Sequence, residues 1–236
     1  ARALAGGGWE WSRKALGSGA EYRLSLFPGE GTRIERDGTA FRIAGSTSSK
    51  FTLSASVGFP PLFPLSSDVL LSEAARACAA KGGSGLAQAE RNLRALSYRE
   101  KFLAGSWQYL TYFGRDTLLS ARVLAPVLTV DALEAGLRSV LDRLSPEGEV
   151  AHEEDLADQA VFDRLRGLAA AGGLGSDALP IDRPVHDYKM IDGEFLLPAA
   201  AVELADRAGD ERLREFLGRP AAGGGTYAEA LARAFD

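Results

Sequence analysis

The chain has 236 residues and a formal net charge of −5, with 46% hydrophobic and 25% charged side chains. That balance is globular and excludes a collagen, a disulfide scaffold and a wholly disordered chain. It has no run of 18 apolar residues to span a membrane, and its acidity argues against a general nucleic-acid binder, which carries a basic face.

Residues 1–58 read as an antiparallel β segment. Trp9-Glu10-Trp11 opens an alternating run, and residues 21–27 alternate polar and apolar with the period of a half-buried strand. Residues 32–36 and 40–44 flank Asp37-Gly38, the strongest short hairpin signal in the chain. Residues 51–57 supply a fourth strand. The connector 59–66 carries Pro60, Pro61 and Pro64, which no central strand tolerates.

From 67 to 236 the pattern is helical. Ser67-Asp68 caps a helix running to about Ala80, and a second amphipathic stretch carries Leu86, Leu93, Leu96 and Tyr98. Helical patterns follow at about 115–127, 130–144, 153–171, 188–208, 210–217 and from 226 onward. Asp131 and Asp210 sit where helix starts favour anions. Gly172-Gly173, Gly209 and the run 223–225 sit where helices stop. Paired helices joined by loops describe a solenoid or an α/α barrel, and the lack of a fixed 34- or 40-residue period counts against the solenoid. The chain starts at Ala1 and ends within a helical pattern beginning at Tyr227. The expectation is therefore a piece of a longer polypeptide. One cysteine, Cys78, forms no intramolecular disulfide and fits a reducing, cytoplasmic compartment.

Three segments carry the residue types that do chemistry. In the first, Trp107, Tyr109, Tyr112 and Phe113 precede Gly114-Arg115-Asp116-Thr117. Arg offers a rigid fork of donors and Asp accepts several hydrogen bonds. Beside an aromatic wall, that set suits a sugar, with hydroxyls on its rim and C–H on its faces. The same residues also suit a plain helix start with its aromatics in the core. The second segment, residues 148–155, contains His152-Glu153-Glu154-Asp155 within an acidic stretch, 142–163, that has eight carboxylates and one Arg. Its spacing matches neither a zinc nor an EF-hand site. It is either a negatively charged helix start or a loop lining a polar cleft. The third segment, residues 185–195, gathers Asp187, Asp192 and Glu194 around Tyr188 and Met190. Asp192 and Glu194 point apart on a helix, whereas Tyr188 and Asp192 share a face. A general acid is served by apolar neighbours that keep it protonated, and a solvated helix start is the other reading.

Together these segments resemble a known family. Tyr112-Phe113-Gly114-Arg115-Asp116-Thr117 is similar to the aromatic-Gly-Arg-Asp-Thr element of glycogen-debranching amylo-α-1,6-glucosidases and to the aromatic-x-Arg-Asp element of glucoamylases. Both are six-hairpin (α/α)6-barrel glycosidases, in which a β-sandwich commonly precedes the barrel. Tyr188-x-x-x-Asp192 with Phe195 resembles the Tyr-x-x-x-Asp-aromatic element of the debranching group, and residues 148–153 resemble a Gly-x-Val-Ala-His loop at the barrel mouth. The resemblance covers about residues 98–208 and implies an N-terminal piece of such an enzyme, with part of a β-sandwich followed by an incomplete barrel.

The activity it implies is inverting hydrolysis of an α-glucan or α-linked oligosaccharide. Asp192 would be the acid. Arg115, Asp116, Trp107, Tyr112, Phe113, His152, Glu153 and Tyr188 would contact the sugar, with no cofactor and no metal. The catalytic base would come from later helices, in the rest of the polypeptide or a complementary chain. Glu153 and Glu154 are the reserve candidates for the acid. The alternatives are a non-catalytic carbohydrate-binding protein on the same scaffold and a helical interaction protein with no sugar site.

Overall fold

A computed structural model describes residues 1–45, 48–105, 109–170 and 183–235. About 46% of the chain is helical and 23% strand, with the antiparallel sheet at the N-terminus, so it is mostly α behind a β segment. In chain order come β1 (Arg2–Ala3), β2 (Trp9–Lys14), β3 (Glu21–Pro28), β4 (Thr32–Asp37), β5 (Ala40–Gly45) and β6 (Phe51–Val57). Then follow α1 (Ser67–Leu70), α2 (Glu73–Lys81), α3 (Gly83–Leu96), α4 (Gly114–Leu124) and α5 (Val130–Leu141). The last elements are β7 (Glu153–Asp155), α6 (Ala157–Ala170), β8 (Val185–Asp187), α7 (Asp192–Ala208), α8 (Asp210–Leu217) and α9 (Tyr227–Arg233). None of the helices among the described residues is long and apolar enough to cross a membrane.

The chain divides into two compact units, Ala1–Pro61 with Leu156–Arg183, and Leu62–Asp155 with Pro184–Asp236. Within the first, the sheet runs β1-β2-β3-β6 and β4-β5 is a separate hairpin. The hairpin turns at Gly38, whose φ of 60° lies in the left-handed region that glycine enters without a Cβ penalty. The register Trp9↔Leu26 and Trp11↔Leu24 aligns an apolar face. Phe41 of β5 meets Trp9 and Trp11 edge-on at 5.1 and 4.7 Å, the geometry aromatic quadrupoles favour. Helix α6 joins this unit through Asp158, which accepts from the Leu16 N–H at 2.8 Å and pairs with Arg13 at 2.6 Å.

The core of the second unit is built by α4, α5 and α7. Leu118, Leu133, Leu137, Val140, Leu197 and Leu204 are almost wholly buried, each contributing roughly 1.5–3 kcal/mol of transfer free energy. Helix α5 is buried nearly all round, and even its Glu134 is inside. That carboxylate is neutralised by Arg212 at 2.7 Å and Arg219 at 2.9 Å. Caps come from Thr129, whose hydroxyl accepts from the Ala132 N–H, from Ser72 for α2, and from a Thr226–Glu229 capping box for α9.

Several expected helix boundaries move, and α4 and α5 end about three residues early, at Leu124 and Leu141. The helix expected from 67 to about 80 breaks at Leu71, which is extended and bridges to Leu128. The pattern at 153–171 opens as β7, and α7 starts at Asp192 rather than at 188 because residues 185–187 form β8. Strand β7 pairs with β8, Glu153 opposite Asp187, so tertiary pairing overrides helix propensity there. Helix α9 stops at Arg233, with the Ala234 N–H bonding back to Ala230.

Candidate functional site

The three chemical segments lie side by side in the second unit. The Gly114 N–H donates to the His152 carbonyl at 2.9 Å, and the His152 N–H donates to the Asp187 carbonyl at 2.6 Å. Phe113 bridges to Glu153, which pairs in turn with Asp187. This backbone ribbon leads on one side into α4 and on the other into α7.

Two glycines let the helix starts approach the ribbon. A Cβ on Gly114 would sit 2.3 Å from the Ala151 carbonyl oxygen and 3.0 Å from the Tyr112 hydroxyl. A Cβ on Gly193 would sit 2.6 Å from Val150 Cγ1. A Cβ does not approach other atoms to 2.3 or 2.6 Å, so both positions favour glycine for close contact. Helices α4 and α7 thereby bring their N-terminal, partially positive ends to the same place.

At that place Arg115 Nη1 donates to Asp192 Oδ2 at 3.2 Å, and Arg115 Nε lies 3.5 Å from Asp116 Oδ2. The Asp192 side chain is 35% exposed. Glu194 turns inward, and its Oε1 accepts from the Val150 N–H at 3.0 Å. Around this point four buried side-chain atoms have no hydrogen-bond partner among the described residues, namely Tyr112 Oη, Asp116 Oδ2, His152 Nδ1 and Glu194 Oε2. Buried polar groups are normally satisfied, so this cluster marks a place built for polar contact.

Beneath the ribbon lies a charge cluster. Glu154, only 3% exposed, pairs with Lys101 and with Arg143 at 3.0 Å. His186 Nε2 is 3.5 Å from the same carboxylate. Burial alone would raise the Glu154 pKa. The His186 contact and the Arg143 and Lys101 charges outweigh it and hold the value down at about 2. Arg143 also lies 4.8 Å over the Tyr112 ring and accepts the Tyr188 hydroxyl on its carbonyl at 3.1 Å. Burial, then the charges of Glu149 and Glu147, raises the Tyr188 pKa.

The structure gathers Arg115, Asp116, Asp192, Phe113, His152 and Glu153. The Phe113 ring meets the His152 ring edge-on at 5.4 Å, and Tyr109 stands exposed 6.0 Å from Phe113. Four expectations need correction. Tyr112, expected against a sugar, is 0% exposed and offers a ligand no face, because the core and Arg143 cover it. Tyr188 precedes α7 rather than sharing its face with Asp192, and its hydroxyl is held by Arg143. Phe195 and Met190, expected to shelter Asp192, are exposed, Phe195 by 76%, because two positions along α7 from buried Gly193 and Leu197 the surface faces solvent. Glu154 is unsuited to its reserve role as acid, since the Lys101 and Arg143 charges and the His186 hydrogen bond keep it ionised. Trp107 lies outside the described residues.

The sequence reading missed Lys101, Arg143 and Glu194 as organisers. Arg143 had a signal, being the one basic residue in the acidic stretch 142–163. Lys101 had none, since a lysine before Phe102 reads as surface until its burial is seen. Among the described residues no group of three or more His, Cys, Asp or Glu stands ready for a metal ion. No family model, curated protein or solved structure matches the chain.

Proposed function

We propose that this rim binds the terminal sugar of an α-glucan or α-linked oligosaccharide, and that the chain is part of an inverting glycoside hydrolase with Asp192 as the general acid. The observation that carries the reading is the meeting of Arg115, Asp116 and Asp192 at two helix starts, together with His152 Nδ1 and Glu194 Oε2 in the adjoining segments, buried atoms with no hydrogen-bond partner among the described residues. A sugar hydroxyl both donates and accepts, and so can satisfy a carboxylate oxygen and an imidazole nitrogen together. Phe113 and the exposed Tyr109 supply apolar surface for the C–H faces. The antiparallel helix pairs are read as hairpins of an (α/α)6 barrel, and the N-terminal strands as part of its accompanying sandwich.

In this mechanism Arg115 and Asp116 hold the hydroxyls of the sugar, which positions the bond for cleavage. Asp192 protonates the glycosidic oxygen. A second carboxylate, assigned to no residue of this chain, activates water from the opposite face at about 6.5–9.5 Å. Asp192 accepts from the Arg115 N–H, so substrate has to draw Arg115 away before Asp192 donates. That same pairing favours the second reading, a carbohydrate-binding site without catalysis.

Calorimetric titration with maltotriose and isomaltotriose tests the common part. Binding of at least one is expected, weakened tenfold or more in Asp116→Asn with the unfolding midpoint unchanged. Absence of binding to any α-linked glucan overturns both readings. Release of β-configured sugar by the full-length protein, lost in Asp192→Asn, separates the hydrolase from the binding protein.

A further inference from the structure

Away from the paired helix starts, the second unit holds a cleft of about 670 Å³ whose walls include Arg99, Arg138, Arg143 and His186. Each of its carboxylates already accepts hydrogen bonds, and Glu154 is also paired with cations. Glu154 is taken by Lys101, Arg143 and His186. Asp142 Oδ1 accepts from the Ala222 N–H at 3.1 Å and the Tyr227 hydroxyl at 3.0 Å. Glu100 accepts from the Phe63 N–H at 3.0 Å. On the other flank of the same arginines, Asp131 and Glu134 are held by Arg212 and Arg219.

Arg99 and Arg138 are left over. Among the described residues neither forms an ion pair, and Arg138 spends one N–H on the Arg99 carbonyl. Both arginines line the cleft, and the Arg138 contact to the Arg99 backbone carbonyl keeps the two residues together. Arginine forks match the geometry of phosphate oxygens and bind them bidentately. A cleft of this volume is in the range that admits a small metabolite.

We propose that this cleft is a binding site for a phosphate group, free or carried on a small molecule, gripped by Arg99 and Arg138 with His186 on its wall. The site is independent of the sugar-binding reading. It uses neither Arg115, Asp116 nor Asp192.

Titration of the protein with inorganic phosphate, monitored by calorimetry and thermal unfolding, tests this. Saturable binding with a stabilised unfolding midpoint is expected, against no such shift in sodium chloride of matched ionic strength or in acetate. Arg99→Gln together with Arg138→Gln should weaken phosphate binding at least tenfold. Because Arg138 contacts backbone, Arg99→Gln alone is the second variant, with a loss of at least threefold, and Arg166→Gln in the other unit is the control expected to bind as the parent does. Equal stabilisation by chloride, equally tight acetate, or undiminished phosphate binding in either Arg99 variant overturns the proposal. A phosphorylated sugar that binds more tightly than inorganic phosphate identifies the carried form, and equal affinity identifies the free ion.

Discussion

Arg115 and Asp192 stand 77 positions apart in sequence, yet their side chains meet at 3.2 Å. Each lies in the first turn of its helix, α4 or α7, so the contact reports that the two helices start at one rim. The pair is more than one-third open to solvent on the arginine side. Exposed ion pairs of this kind contribute only about 0–1 kcal/mol, so stability does not explain why these residue types stand here.

Asp192→Asn is accordingly expected to change unfolding free energy by less than about 1 kcal/mol, while abolishing the glycosidic turnover proposed above. Urea denaturation beside a hydrolysis assay checks it. A variant that unfolds at much lower urea would make Asp192 a structural residue.

Glu154→Gln should behave in the opposite way. It leaves Lys101 and Arg143 facing a neutral amide in the interior. Breaking one side of a buried pair costs about 3–5 kcal/mol, so a large drop in the urea midpoint is expected. A loss below about 1 kcal/mol, the range of a surface pair, would mean that water reaches the cluster.

The same carboxylate sets an acid limit. Its folded pKa is about 2 against an ordinary 4.5. A depressed carboxylate contributes stability that is complete above the unfolded value and is lost as pH falls through the folded one. The loss between pH 5 and 2 should reach about 3 kcal/mol. Glu154→Gln should flatten that part of the stability profile, and unchanged steepness in the variant would assign the acid sensitivity elsewhere.

Gly193→Ala tests the close approach of α7 to the ribbon. The new methyl would lie 2.6 Å from Val150 Cγ1 and 2.7 Å from its Cβ. Overpacking of this kind costs about 1–3 kcal/mol, and displacement of Val150 would also stretch the bond from its N–H to Glu194. Lower stability together with weaker sugar binding is the expected outcome. The exposed Phe195→Ser, two positions on, should move neither beyond about 0.5 kcal/mol.

Local pattern alone determined much of this molecule. Alternation marked β2, β3 and β6, Asp37-Gly38 marked the β4–β5 hairpin, and 3.6-residue periodicity marked α4, α5, α7 and α8. These signals are local because strand period, turn conformation and helix face depend on residues a few positions apart. Arg115, Asp116 and Asp192 were legible too, as unusual residue types at helix starts. Only the tertiary structure decided that 153–155 and 185–187 pair as strands, that Tyr112 is covered while Phe195 is bare, and that Lys101 and Arg143 meet Glu154 in the interior. The strand pairing and the charge cluster depend on partners 11 to 53 positions away. Burial and charge pairing are properties of a neighbourhood that the linear order does not contain, so the charge of Glu154 read as part of a negatively charged helix start or a cleft loop until Lys101 and Arg143 were found against it.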